Sequence, residues 1–135
     1  MLLPNIHQNF GENLLIFKMN APIAFFCFNR ADKTKLVLET LAKNDLAKES
    51  DIYIFCDGPR NIKDLKDIQE VHKVIDEVQG FRKKYIFKKE INHGLQISLI
   101  NGINQILDKH NSIIIIEDDI ITAPSLALSK NQWVN

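Results

Sequence analysis

In Ser112-Ile113-Ile114-Ile115-Ile116-Glu117-Asp118-Asp119-Ile120-Ile121-Thr122-Ala123-Pro124, four consecutive isoleucines run directly into three acids. An unbroken β-branched run is the pattern of a parallel strand buried on both faces. The acids then fall at the carboxyl end of that strand, where open α/β sheets bind ligands. Three adjacent carboxylates repel one another, and their hard oxygens suit a divalent cation such as Mg²⁺ or Mn²⁺. In an extended chain, Glu117 and Asp119 point to one side and Asp118 to the other, which argues against one shared job. A solvated acidic turn is the other reading of the same residues.

Outward from this strand, the rest of the chain alternates. Ile23–Phe28 is a short apolar run that reads as a buried strand. A helix follows with Asp32 as its expected N-cap, an apolar face of Val37 or Leu38, Leu41 and Leu46, and Lys33, Lys35, Glu39 and Lys43 opposite. Asp51–Cys56 is the second strand, stopped by Asp57-Gly58-Pro59. A second helix is expected from Lys63 or Asp64 to Val78, with Ile68, Val71, Ile75 and Val78 at helical spacing and Gly80 as its stop. Lys84–Lys88 is a third strand, Ile91–Gly94 a loop, and roughly Leu95–His110 a third helix before the isoleucine strand. Strand–helix alternation predicts an α/β fold: a mostly parallel, Rossmann-like sheet with helices on both faces. After Pro124, Leu126, Leu128, Trp133 and Val134 read as the start of a further helix.

Composition bounds the function classes. The chain has 135 residues, 45% apolar and 25% charged, the profile of an ordinary globular domain. Seventeen basic residues balance seventeen acidic ones, which removes the bulk electrostatic case for nucleic acid or an anionic membrane as partner. Cys27 and Cys56 lie inside apolar runs and read as reduced core residues of a cytoplasmic protein. No apolar run approaches the ~20 residues of a membrane span, so no transmembrane segment is expected. Residues 1–20 lack the basic start of a signal peptide and read as a leader outside the fold.

Two phosphate-binding patterns fail. There is no G-x-x-x-x-G-K-[ST], and the first strand ends in Phe28-Asn29-Arg30-Ala31-Asp32, without the glycines of a dinucleotide fingerprint. A metal on acidic residues is the remaining way to hold a diphosphate. Phe28-Asn29-Arg30 after strand one, Cys56-Asp57-Gly58-Pro59-Arg60 after strand two, Asn92-His93-Gly94-Leu95 before helix three, and Ile115-Ile116-Glu117-Asp118-Asp119-Ile120 with Ala123-Pro124 beyond stand in a telling order. Together they resemble the N-terminal half of a GT-A-type glycosyltransferase, nearest the bacterial sugar transferases related to the N-acetylglucosaminyltransferase I family. The likeness covers about Ala21 to Leu126.

The resemblance implies a GT-A three-layer sandwich that binds a nucleotide-diphospho-sugar, commonly a UDP-sugar, with Mn²⁺ or Mg²⁺. Phe28, Asn29 and Arg30 would line the nucleoside pocket. Asp57, beside Gly58, would accept a hydrogen bond from the uracil ring. Asn92 and Gly94 would approach the sugar or phosphates. Asp119 would ligate the metal, and Glu117 and Asp118 would contact ribose or metal-bound water. Taken singly, Asp57 reads as a turn residue, Arg30 as a surface residue and His93 as a solvated loop histidine, and only the joint placement of Arg30 and Asp57 with the acidic triplet favours the site. The acceptor, whether glycan, lipid or protein, would be held by a half that follows the acidic motif. No Asp or Glu follows Asp119, so no general base is named and the half-domain at 21–128, with a tail at 129–135, reads as truncated. Its last parallel strand is then expected to show a bare edge. A catalytically inactive nucleotide- or metal-binding remnant is the alternative, and a sugar-nucleotide nucleotidyltransferase is a weaker third because it lacks that class's phosphate loop.

Overall fold

The computed structural model describes residues 21–45, 47–119 and 126–133. The expected leader and Leu46 lie outside them, as do Ile120 to Ser125. The elements in chain order are β1 (Ile23–Cys27), α1 (Ala31–Ala42), β2 (Asp51–Cys56), α2 (Leu65–Glu77), β3 (Lys83–Lys88), α3 (Leu95–Leu107), β4 (Ser112–Glu117) and β5 (Leu126–Ser129). Short 3₁₀ turns at Ala47–Glu49, Ile62–Asp64 and Lys130–Gln132 complete the described chain.

The strands form one sheet in the order β3-β2-β1-β4-β5. Its first four strands are parallel, so the α/β expectation holds in a Rossmann-compatible form. β1 is central, with Phe25 opposite Ile54 on one side and Ile116 on the other. The chain steps outward from β1 to β2 and β3, then returns to place β4 on β1's other flank. This puts a switch point, with its crevice at the carboxyl ends, between β1 and β4.

Strand alternation sorts the core into two layers. Ile23, Phe25, Ile52, Ile54, Ile114 and Ile116 meet Val37, Leu38 and Leu41 of α1 and Ile68, Val71 and Ile75 of α2. Ala24, Phe26, Phe55, Ile113 and Ile115 meet Leu99, Ile103, Ile106 and Leu107 of α3. Helices therefore cover both faces, and each fully buried Ile or Phe stabilises the fold by about 1.5–3 kcal/mol relative to exposure. Among the described residues no helix is long and apolar enough to cross a membrane.

Several expectations change. Asp32 is not an N-cap: α1 begins at Ala31, no side chain caps it, and Asp32 sits in the first turn, where its charge suits the helix's positive end. α2 ends at Glu77, and Gly80, with φ of +117°, turns the chain only after an extended Val78. α3 stops at Leu107 rather than His110, because Lys109 and His110 both direct their N–H groups to the Ile106 carbonyl and His110 Nε2 lies 3.3 Å from the Tyr53 hydroxyl.

The expected helix after Pro124 is instead β5, antiparallel to β4, with Leu128 opposite Ile113 and Leu126 opposite Ile115. Four residues are too few to nucleate a helix, whereas β4 offers a ladder of backbone partners. β4 accordingly does not carry the expected bare edge. Residues after β5 pack back on the described chain. Lys130 N–H donates to the Asn111 carbonyl at 2.7 Å, and Trp133 Nε1 donates to Asn104 Oδ1 at 2.7 Å.

Candidate functional site

The backbone ladder runs one residue past each of the central strands. Asp118 N–H donates to the Phe26 carbonyl, and Asp57 N–H to the Cys27 carbonyl, each at 3.1 Å. The acids that follow β2 and β4 are thus pinned to the sheet's carboxyl edge. A cleft of about 460 Å³ opens there, within the range of small-ligand sites. Phe28, Asn29 and Arg30 line it from the end of β1, Asp57 from β2, Asn92 and Gly94 from the loop before α3, and Glu117, Asp118 and Asp119 from β4. Gly58 alone of the expected residues is not in the lining; it lies buried behind Asp57. A larger groove of about 840 Å³ runs between α1 and α2, among solvated side chains such as Lys35, Glu39 and Lys73 and away from the strand-end acids.

Asp57 is buried, and both of its oxygens are engaged. Oδ1 accepts from the N–H groups of Gly58 and His93, each at 2.9 Å. Oδ2 accepts from Asn92 Nδ2 at 3.1 Å and Gly94 N–H at 3.0 Å. A carboxylate offers about four lone-pair positions, so these donors fill it. Asn92 Nδ2 also donates to the Gly58 carbonyl at 2.9 Å. Asp57 therefore fastens the loop before α3 to the end of β2, and a base N–H could reach it only by displacing a donor, of which the Asn92 amide is the most mobile. Gly94 adopts φ of +83°, a conformation that glycine takes without steric penalty.

The β4 acids separate as well. Glu117 is the last strand residue, so strict strand alternation ends there. The Asp119 carboxylate turns instead towards α1, where Oδ2 lies 3.4 Å from both Arg30 Nη1 and Lys33 Nζ. Burial first, and then the neighbouring Asp118 and Asp119 charges, raise the Glu117 pKa. Asp118 is also raised, mainly by burial, with Arg30 opposing the shift. The corner favours added positive charge. Among the described residues no group of three or more His, Cys, Asp or Glu side chains converges as a metal cage. The donor set fits a hard divalent ion held through Asp119, with its other positions filled by water and ligand oxygens, the usual habit of Mg²⁺.

Two lining residues, Arg60 and Ser98, and a neighbour of the cleft, Lys33, were not singled out as site residues from sequence. Arg60 places its guanidinium 5.1 Å from the centre of the Phe28 ring. Its Nε and Nη2 grip Asp64 at 3.0 and 3.1 Å, a bidentate pair whose i, i+4 spacing was visible in the chain. Lys33, in the first turn of α1, follows Arg30 by three positions and meets the same Asp119 oxygen. Ser98 lines the cleft with an Oγ shielded from solvent and making no hydrogen bond to the protein. A buried polar atom of this kind calls for a partner.

The Arg60 side chain, then its backbone N–H, holds the Asp64 carboxyl at about 2, with Asn29 adding a side-chain hydrogen bond. The folded value lies below the ordinary 3.8, so the stabilisation is present above about pH 4 and is lost as pH falls towards 2. Urea midpoints measured between pH 5 and pH 2.5 should fall less steeply in Asp64→Asn than in the wild type; parallel profiles would show that the pair carries no such linkage. Comparison of the chain with known proteins finds no matching family model, no matching curated protein and no matching solved structure.

Proposed function

We propose that the cleft between β1 and β4 binds a nucleotide-diphospho-sugar, and that the chain carries the donor site of a GT-A-type glycosyltransferase. One observation carries the reading. Residues chosen from separate strand ends, Phe28 to Arg30, Asp57 and Glu117 to Asp119, and from the loop before α3, Asn92 and Gly94, share the lining of a single cleft of ligand size. Phe28, with Arg60 over its ring, offers an apolar and cationic surface for a base. Asp57 sets the loop that carries Asn92 and Gly94, so its role here is to position that loop. Ser98 Oγ offers a hydrogen bond to a ligand hydroxyl. Arg30 and Lys33 supply positive charge for phosphate oxygens.

Mn²⁺ or Mg²⁺ would be held through Asp119 and would supply Lewis-acid stabilisation of charge on a departing diphosphate. The described residues bind and orient the donor; the acceptor side of the reaction has no residue assigned. Calorimetric titration of UDP into the full chain tests the reading. Heat of binding is expected with Mn²⁺ and not with EDTA. Asp119→Ala should weaken binding by more than the roughly 10–100-fold that loss of an outer-shell metal partner brings. A folded protein that takes up no UDP in Mn²⁺ would sink the proposal.

A further inference from the structure

Among the described residues, three ion pairs that involve arginine differ in kind. Arg82 grips Asp51 through two bonds of 2.7 Å, and Arg60 grips Asp64 through bonds of 3.0 and 3.1 Å. Each is a fork closed on both oxygens of its carboxylate. Arg30 instead reaches Asp119 through one nitrogen at 3.4 Å, and Lys33 meets the same oxygen at 3.4 Å. Charge-assisted bonds of this type normally close to about 2.7–2.9 Å. Two cations crowding one oxygen repel each other, and neither reaches ideal geometry. Their side chains are 55% and 46% exposed, while that of Asp119 is 21% exposed, so the cations can leave and the carboxylate stays.

What they would leave for lies in the same cleft. Arg30 lines it, and α1 starts at its lip without a side-chain cap, so the first-turn N–H groups add to the positive field there. With Arg60 closed on Asp64, a diphosphate brought against Glu117, Asp118 and Asp119 and offset by Arg30 and Lys33 would meet net negative charge. A divalent ion on Asp119 reverses that balance, and it releases both side chains.

We propose that Arg30 and Lys33 are exchangeable counter-ions: they hold Asp119 until a divalent cation takes their place, and then transfer to the phosphate oxygens of the ligand. This deepens, and rests on, the nucleotide-diphosphate reading. Cation and nucleotide then bind with positive coupling, which by linkage is the same factor in either order.

The consequence is a pair of effects with opposite signs. In Arg30→Gln/Lys33→Gln, Mn²⁺ loses its competitors and should bind roughly two- to fivefold more tightly on its own, the scale of exposed ion pairs. UDP in saturating Mn²⁺ loses its charged partners and should bind roughly tenfold or more weakly. Both side chains are exposed, so the variant should melt at the wild-type temperature. Titration of Mn²⁺ alone, and of UDP in Mn²⁺, into the full-length wild type and variant reads both signs. Mn²⁺ affinity that stays level or falls in the variant overturns the exchange, as does UDP affinity that does not change, and either result leaves UDP binding by the wild type intact. Absence of UDP binding by the wild type in Mn²⁺ overturns the nucleotide reading itself, and the exchange with it.

Discussion

Asp57→Ala is expected to destabilise the protein by about 3 kcal/mol, a large share of the roughly 5–15 kcal/mol that holds a domain of this kind together. The substitution removes no large apolar contact. It removes the acceptor shared by the N–H groups of Gly58, His93 and Gly94 and by the Asn92 amide. A buried donor left without a partner costs about 1–3 kcal/mol, and water can reach only the more exposed part of this loop. Asp57→Asn should cost about 2 kcal/mol, because whichever way its amide turns, an NH₂ group faces donors it cannot accept from. A residue serving only as the start of an Asp-Gly turn would behave differently, since Asn is favourable there. Urea unfolding with an unchanged slope decides it. An Asn variant with the wild-type midpoint would show that the loop is not held through this carboxylate.

How much of this was legible in the sequence depends on how local each cause is. β2 was readable to its end residues because Asp-Gly-Pro stops a strand by backbone chemistry alone. The face of α2 was readable because Ile68, Val71 and Ile75 repeat at helical spacing and all three are buried. β5 was not readable. Leu126 to Ser129 carries no strand signal of its own and is a strand because β4 presents an unpaired edge next to it. The end of α3 was missed for a similar reason, since His110 is held by Tyr53 from another part of the chain.

The candidate site divides along the same line. Strand-end acids announce themselves, because an apolar run that breaks into charge must leave the core. What each acid does there is settled by partners distant in sequence. Asp57 looked like a turn residue or a base contact, but three of its donors come from residues 35 to 37 positions later. Asp119 was expected as a metal ligand, and the cations at its carboxylate, Arg30 just before α1 and Lys33 in its first turn, come from more than eighty positions earlier. Arg60 and Lys33 carried only helical spacing as a signal, and Ser98 carried none.

Gly58→Ala should be as damaging to the cleft as loss of the Asp57 carboxylate, by pushing where the other ceases to pull. A Cβ at Gly58 would lie 2.4 Å from the Ile91 carbonyl carbon, 2.5 Å from its oxygen and 2.6 Å from its nitrogen. All three are backbone atoms, so no side-chain rotation relieves the overlap, and the segment carrying Asn92 to Gly94 must move away from β2. Overpacking of this kind costs about 1–3 kcal/mol. The displacement also stretches the hydrogen bonds from His93 and Gly94 to Asp57, so UDP affinity in Mn²⁺ should fall along with the melting temperature. Gly94→Ala separates space from strain: a Cβ there meets nothing within 4 Å, but the residue sits at φ of +83°. That variant should lose about 1–3 kcal/mol through backbone strain while the room behind Asp57 is unchanged. If Gly58→Ala keeps both the wild-type melting temperature and the wild-type UDP affinity, the loop does not rest against the end of β2 in solution, and the cleft is not the one described.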